Sequence, residues 1–392
     1  MVAIPQPGSF ELIDDPIALT QALVHMDSSN PSIGATSGAG ECTIARCIQS
    51  WLAHRQIEVH RIEPTVGRPS IVGVVRGSGG GKSLMFNGHL DTVSLSSYLD
   101  DPLSGRISED RIYGRGSADM KSGVAAAMIA LAKAKDLDLK GDVIFTGVSD
   151  EEGDSIGTAQ VLQAGWTADA AIVSEPTNLE LLTSHKGIVI LEVNIYGIAA
   201  HGSRPDLGVD AIAHAGYFLV ELDRFLKELQ QSPGHPNIGP GSIHASIITG
   251  GQEVNSFPAQ CTIQLDRRTI PGETPESVEQ EVRGLLQKAA ENVPHLNFDV
   301  KITLSQPAFH ISSEHPFIAL TRQVIEQKIG HPPTLSGAPY WTDCGLLSAH
   351  GIPSLLWGPS GGGLHAEEEW VDIHSITHVT EALTEIARQY CA

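Results

Sequence analysis

Histidine and carboxylate side chains gather in five short segments whose residue types and spacing could hold metal ions or move protons. The first is Phe86-Asn87-Gly88-His89-Leu90-Asp91. In extended chain, positions two apart point to one side. Asp91 is therefore placed to accept the second ring N–H of His89 and to fix its tautomer for metal binding. A structural histidine bonded to a turn aspartate would show the same spacing. The second segment carries Asp119 just before an alanine-rich stretch, where it is either a ligand or a helix cap. The third is Asp150-Glu151-Glu152. Three adjacent carboxylates repel one another strongly without a cation, unless they form a solvated turn. Glu175 and His365 complete the set, the histidine following a run of three glycines.

Taken singly, each segment admits a structural reading. Taken together they do not, because His89, the acidic turn 150–152 and Glu175 all follow apolar runs of strand type. Runs apolar on both faces, alternating with helical patterns, imply a doubly wound sheet with helices on both sides. In such a sheet, functional groups collect at the carboxyl ends of the strands. Two histidines and three carboxylates around one crevice suit a pair of divalent metals, zinc above all and cobalt as a substitute. No HExxH is present, so the helix-borne single-zinc design is excluded.

The elements that must position these residues can be read from the pattern. Residues 41–54 have helical apolar spacing, 71–75 and 83–86 read as strands, 121–135 as a helix, and 142–149 and 170–174 as buried strands. The glycine-rich stretch 77–83 resembles a phosphate loop, but Arg76 stands where the first glycine is required, so a turn between two strands is expected. From about residue 187 the pattern changes. A strand at 188–196, a helix at 209–229, strands at 243–249 and 261–269, a helix at 275–290 and a strand at 297–304 give the β-α-β-β-α-β order of a ferredoxin-like unit. The expected architecture is a catalytic α/β domain, 1–186 and 306–392, interrupted by an inserted α+β domain, 187–305.

Composition excludes several classes. The 392 residues carry 25 Lys plus Arg against 46 Asp plus Glu, a net charge of −21, which argues against nucleic-acid binding across the surface. No apolar run is long enough for a membrane helix. Residues 1–12 lack the basic and apolar stretches of a secretory leader. Five scattered cysteines with no CxxC pair fit a reducing, cytoplasmic setting.

The sequence resembles the acetylornithine deacetylase / succinyl-diaminopimelate desuccinylase family of two-metal aminoacylases and carboxypeptidases. The stretches that carry the likeness are GHLDTV (88–93), YGRGSADMKSG (113–123), SDEEG (149–153), SEPT (174–177), AAHGSRPDLGVDAI (199–212), GGQEVNSFPAQC (250–261), DRRTIP (266–271) and HAEEEW (365–370). The resemblance implies that His89 and Glu175 bind one zinc, that Glu152 and His365 bind the other, and that Asp119 bridges them. It implies Glu151 as general base, with Asp91 beside it among the catalytic residues. His201 would steady the tetrahedral intermediate, and Asn255 and Arg268 would hold the substrate carboxylate. Independently of the resemblance, alternation along the strand points Arg267 the other way, as the expected solvated neighbour of Arg268. The inserted domain would serve as lid and dimerisation unit of a homodimer. The implied reaction is hydrolysis of an amide bond in an N-acyl amino acid, with dipeptidase or carboxypeptidase action as the alternative. Side-chain selection would fall to loops such as 340–343, where Asp343 is either a partner for a basic substrate group or a turn residue.

Overall fold

A computed structural model describes residues 10–34, 37–293 and 296–392. Of the N-terminal stretch 1–12, residues 1–9 lie outside the described residues. The chain forms two compact units. The first comprises Met1–Thr183, Ile311–Ser336 and Thr342–Ala392; the second comprises Ser184–His310 and Gly337–Trp341. The second unit is thus wider than the change of pattern at 187–305, and it takes in a short return of chain just before Thr342.

The first unit is built on a mixed sheet. Four strands run parallel in the order Val143–Val148, Leu84–His89, Ala170–Val173 and Ser354–Leu356. Outside the first of them lie Ser70–Val75 and Glu58–Ile62, joined antiparallel. Every residue of the strands Leu84–His89 and Val143–Val148 is buried, which accounts for their continuous apolar character. Their register sets His89 opposite Val148. Helices cover both faces. Asn87 points to Thr158 of helix Ile156–Gln163, its Nδ2 donating to Thr158 Oγ1 at 3.1 Å. Gly88, one residue on, faces Val124 of helix Ser122–Ala134. That helix passes so close to the sheet that a Cβ on Gly123 would lie 2.0 Å from Ser174 O, so only glycine fits there. The stretch resembling a phosphate loop is a turn, and Arg76 pairs with Glu58 and Asp142 instead of approaching a ligand.

A small antiparallel sheet in the same unit orders Gly361–Gly362, Trp370–Asp372, Arg111–Tyr113 and Arg106–Ser108. It matters for function because its first two strands flank the 363–369 loop, which carries His365. Its third strand leads into the turn Ser117–Lys121, which carries Asp119.

The second unit has the expected β-α-β-β-α-β order. Its sheet runs Ser242–Gly250, Gln260–Thr269, Gly187–Tyr196 and Asn297–Gln306, antiparallel throughout. Helices Ala211–Gln231 and Pro275–Asn292 pack on one face, burying Val189, Leu191, Val193 and Ile195 against Phe218, Leu222, Val282 and Leu286. The strand Gly187–Tyr196 alternates buried and half-buried positions, the signature of a sheet with only one covered face.

Candidate metal centre

Three neighbouring parallel strands of the first unit deliver the acidic and histidine groups at their carboxyl ends. His89 ends one strand, the turn 150–152 follows the next, and Glu175 follows the third. Asp119 arrives from its turn and His365 from the small sheet. His89 Nε2 lies 3.0 Å from Asp119 Oδ1 and 3.8 Å from Glu175 Oε1. His365 Nε2 lies 3.3 Å from Asp119 Oδ2 and 3.2 Å from Glu152 Oε2. Ligand-type atoms of His89, Glu151 and Glu175 lie within 4.8 Å of one another, and so do those of His89, Asp119 and Glu152.

The tautomer of His89 follows from its other nitrogen. Nδ1 lies 2.9 Å from the main-chain carbonyl of Asp91, and a carbonyl can only accept, so Nδ1 carries a hydrogen. A neutral ring then turns the lone pair of Nε2 towards the Asp119 carboxylate. Two acceptors 3.0 Å apart need a proton or a cation between them. The expected acceptor was the Asp91 carboxylate, which lies 3.8 Å from Nδ1. The carboxylate has another task. Its Oδ1 accepts from Glu151 N at 3.1 Å, and its Oδ2 accepts from Glu152 N at 3.2 Å and from Asn30 Nδ2 at 2.7 Å. Asp91 thus orients the histidine with its backbone and the acidic turn with its side chain.

Behind that turn sits a buried charge network. Arg68 donates to both oxygens of Glu41 and to Asp150 Oδ1, at 2.6 Å for the last. Asn30 Nδ2 also donates to Asp150 Oδ1 at 2.9 Å. Asp150 has φ 66°, and His365 has φ 59°, a left-handed conformation that costs Asp and His less than most residues. These two left-handed residues lie at or beside the site.

The electrostatics call for cations. Burial pushes the Glu151 and Glu175 carboxyls well above their usual range, with neighbouring carboxylates adding to the effect. Burial also raises Glu152, and Asp119 adds to the rise. For His89, burial alone would lower the pKa, but Glu175 and Asp119 outweigh it and hold the ring well above its ordinary value. His365 is pushed up to about 10 by its contacts with Asp119 and Glu152. Glu152 Oε1 is buried with no hydrogen-bond partner among the described residues. Among the described residues, the imidazoles are the only cationic groups paired with Asp119, Glu152 and Glu175. Crowded buried carboxylates, an orphaned oxygen and an imidazole lone pair aimed at a carboxylate all fit divalent metal ions. Each half of the Asp119 carboxylate faces a different histidine, so the donor set suits a pair of them.

His201, Asn255 and Arg268 belong to the second unit. His201 is exposed, its Nδ1 2.8 Å from Ser203 Oγ, and it bridges to Ser256. Gly202 N donates to Asn255 O at 2.7 Å, so His201 and Asn255 share one loop junction. Arg268 has its fork on Asp266, Nε at 2.8 Å and Nη2 at 2.9 Å, rather than free. The expectation for Arg267 is overturned. The two arginines do point to opposite faces of the sheet, but Arg267 is the fully buried one, held by Glu273, Glu281 and the carbonyl of Arg268. The helices cover the face that Arg267 occupies, a fact that alternation along the strand cannot supply.

Asp343 is a buried member of the centre. It accepts from Thr158 Oγ1 at 2.8 Å, its other oxygen has no hydrogen-bond partner among the described residues, and burial pushes its carboxyl up to about 7. Of the supporting residues, Asn30, Glu41 and Arg68 carry no signal in the sequence. Glu369 lies inside the HAEEEW motif, but its place there carries no signal of what it touches.

This arrangement suits metal-assisted hydrolysis, and the family and relatives make the bond an amide. More particularly, the chain belongs to peptidase family M20/M25/M40, whose pattern it matches over residues 85–389. It is 28% identical over 386 residues to an acetylornithine deacetylase of Photorhabdus laumondii, covering 93% of this chain and 95% of that one. It is 27% identical to the acetylornithine deacetylase of Myxococcus xanthus, covering 83% and 85% of the two chains. Among solved structures, aminopeptidase PepT from Bacillus cereus superposes with a TM-score of 0.79 at 18% identity, covering 97% of this chain and all of that one. A dinuclear metal-binding peptidase of Bacillus subtilis superposes at 0.71 with 17% identity, covering 96% and 97%.

Proposed function

We propose that the protein removes the acyl group from an N-acyl amino acid by metal-assisted hydrolysis. The observation that carries the reading is the Asp119 carboxylate, which turns one oxygen to His89 and the other to His365. His89 and Glu175 would hold one divalent ion, Glu152 and His365 the other, with Asp119 between them. Zinc suits this donor set, and cobalt would substitute. When bound, the pair would lower the pKa of the attacking water and polarise the scissile carbonyl. Glu151 would take the water's proton and hand it to the leaving amine. Its amide is fixed by Asp91, which aims the carboxylate without consuming it. His201 would donate where oxyanion charge develops. Asn255 and Arg268 would bind the substrate carboxylate, which would compete with Asp266 for the guanidinium.

The acetylornithine deacetylases among its relatives favour a deacylase. Membership of a peptidase family keeps dipeptidase or carboxypeptidase action as the second reading. A screen of the zinc- or cobalt-loaded protein against N-acetyl, N-succinyl and dipeptide substrates separates them. Turnover of dipeptides alone would overturn the first reading. Turnover of none of the three by a fully loaded protein would overturn both.

The second unit would form a homodimer. Ile247 and Ile248 on the edge strand Ser242–Gly250, with Tyr217 and Val220 on helix Ala211–Gln231, are large exposed apolar groups. An open edge beside them is suited to pairing with a second copy. A monomer in sedimentation at micromolar concentration would count against this. A cytoplasmic location is supported by five free cysteines. No helix among the described residues is long and apolar enough to cross a membrane.

A further inference from the structure

The 363–369 loop ends in a carboxylate, Glu369, with a different task from any described so far. Glu369 is buried, and it spends all its acceptor capacity on the segment that carries Asp119. Its Oε1 accepts from Ala118 N and from Asp119 N, both at 2.9 Å. Its Oε2 accepts from Gly116 N at 3.0 Å and from Arg115 Nη1 at 2.8 Å. Its own main-chain carbonyl accepts from Gly114 N at 3.1 Å and from the Tyr98 hydroxyl at 3.1 Å. The guanidinium of Arg115, equally buried, also donates through Nη2 to Ala366 O at 2.7 Å, one residue beyond His365.

We infer that Glu369, locked by Arg115, is the positioning residue that sets the spacing between Asp119 and His365, and so fits the two metal positions to each other. The inference rests on the proposed reading of Asp119 and His365 as ligands. Its physical basis is a closed loop of bonds. Asp119 hangs from Glu369 through its own amide. His365 lies four residues before Glu369, and its flank is tied to Arg115, which is tied back to Glu369. A displacement of either ligand loop must therefore strain the other. The gap they keep is 3.3 Å between His365 Nε2 and Asp119 Oδ2.

The carboxylate cannot be replaced by its closest isostere. Both oxygens face two donors each. A glutamine must turn its NH2 towards one of those pairs, so one pair of donors always loses its acceptor. Partners that orient ligands cost roughly 10–100-fold in metal affinity when lost.

The test is a calorimetric titration of metal-free protein with Zn²⁺, together with the visible absorption of the Co²⁺-loaded form, on wild type, Glu369→Gln and Arg115→Met. Two ions per wild-type chain are expected. Glu369→Gln should keep the wild-type far-ultraviolet circular dichroism, lose about 10–100-fold in one of the two affinities and change the Co²⁺ spectrum. Its kcat should fall with KM near wild type, whereas a purely structural role would lower only the folded fraction. Arg115→Met, which keeps the backbone bonds of Glu369, should show the same pattern more weakly. Wild-type affinities and spectrum in folded Glu369→Gln would overturn the inference. If that variant does not fold, wild-type behaviour of Arg115→Met overturns it equally. A wild type that binds no pair of metals would instead bring down the reading of the centre itself.

Discussion

Asp119 stands between two imidazoles, with Oδ1 3.0 Å from His89 Nε2 and Oδ2 3.3 Å from His365 Nε2. Asp119→Asn should therefore break the pair rather than one half of it. Metal affinity should fall by more than about 100-fold, beyond the loss expected for an outer partner, and elemental analysis should find fewer than two ions per chain. Two tightly held ions in the variant would contradict the bridging role.

Glu151 and Glu152 are adjacent, but only Glu152 touches His365. Glu151→Gln should cut kcat by about 10²–10⁴-fold, the usual contribution of a general base, with the metal content intact. Glu152→Gln should lose metal. An exchange of these two phenotypes would reverse the assignment.

Among the described residues, Arg68 is the only cation paired with Glu41 and Asp150 in their buried cluster. Arg68→Met would leave two buried carboxylates without a counter-charge. A loss of about 3–5 kcal/mol is expected from breaking a buried pair, read as a lower denaturant midpoint. Because Asp150 precedes Glu151, kcat should fall as well. An unchanged midpoint would mean that water replaces the guanidinium.

Without metal, protons would offset the crowded carboxylates, and stability should then have a definite pH slope. Asp343 titrates near 7 in the folded chain against 3.8 as a free side chain. His365 titrates near 10 against 6.5. In both windows the folded state binds more protons than the unfolded state, so stability falls as pH rises. Thermal melts of metal-free protein should show decreasing Tm from about pH 4 to pH 10, allowing for general charge effects by comparison with Asp343→Asn. That variant should flatten the lower part of the slope, between about pH 4 and 7. A Tm that rises across this range would refute the account.

Much of the centre was legible because its residues obey local rules. His89, the 150–152 turn and Glu175 each end an apolar strand, and a doubly wound sheet gathers strand ends. The inserted unit was legible because its strands alternate while those of the first unit do not. What escaped depends on contacts remote in sequence. Asn30 reaches Asp91 across 61 positions and Asp150 across 120. Arg115 meets Glu369 across 254. No periodicity encodes such pairs. The reading of Arg267 failed for a different reason. Alternation gives two faces without saying which one the helices cover.

The register that sets His89 opposite Val148 makes one rim of the sheet intolerant of changes in chain length. Deleting a single residue between Phe86 and His89 would turn the imidazole to the opposite face and draw Asp91 away from the Glu151 and Glu152 amides in the same stroke. The other rim is freer at the tip of its turn, where a Cβ on Gly80 meets nothing within 4 Å. Insertions selected by evolution or made by an engineer should accumulate there, and the opposite rim should keep its residue count even where its side chains drift.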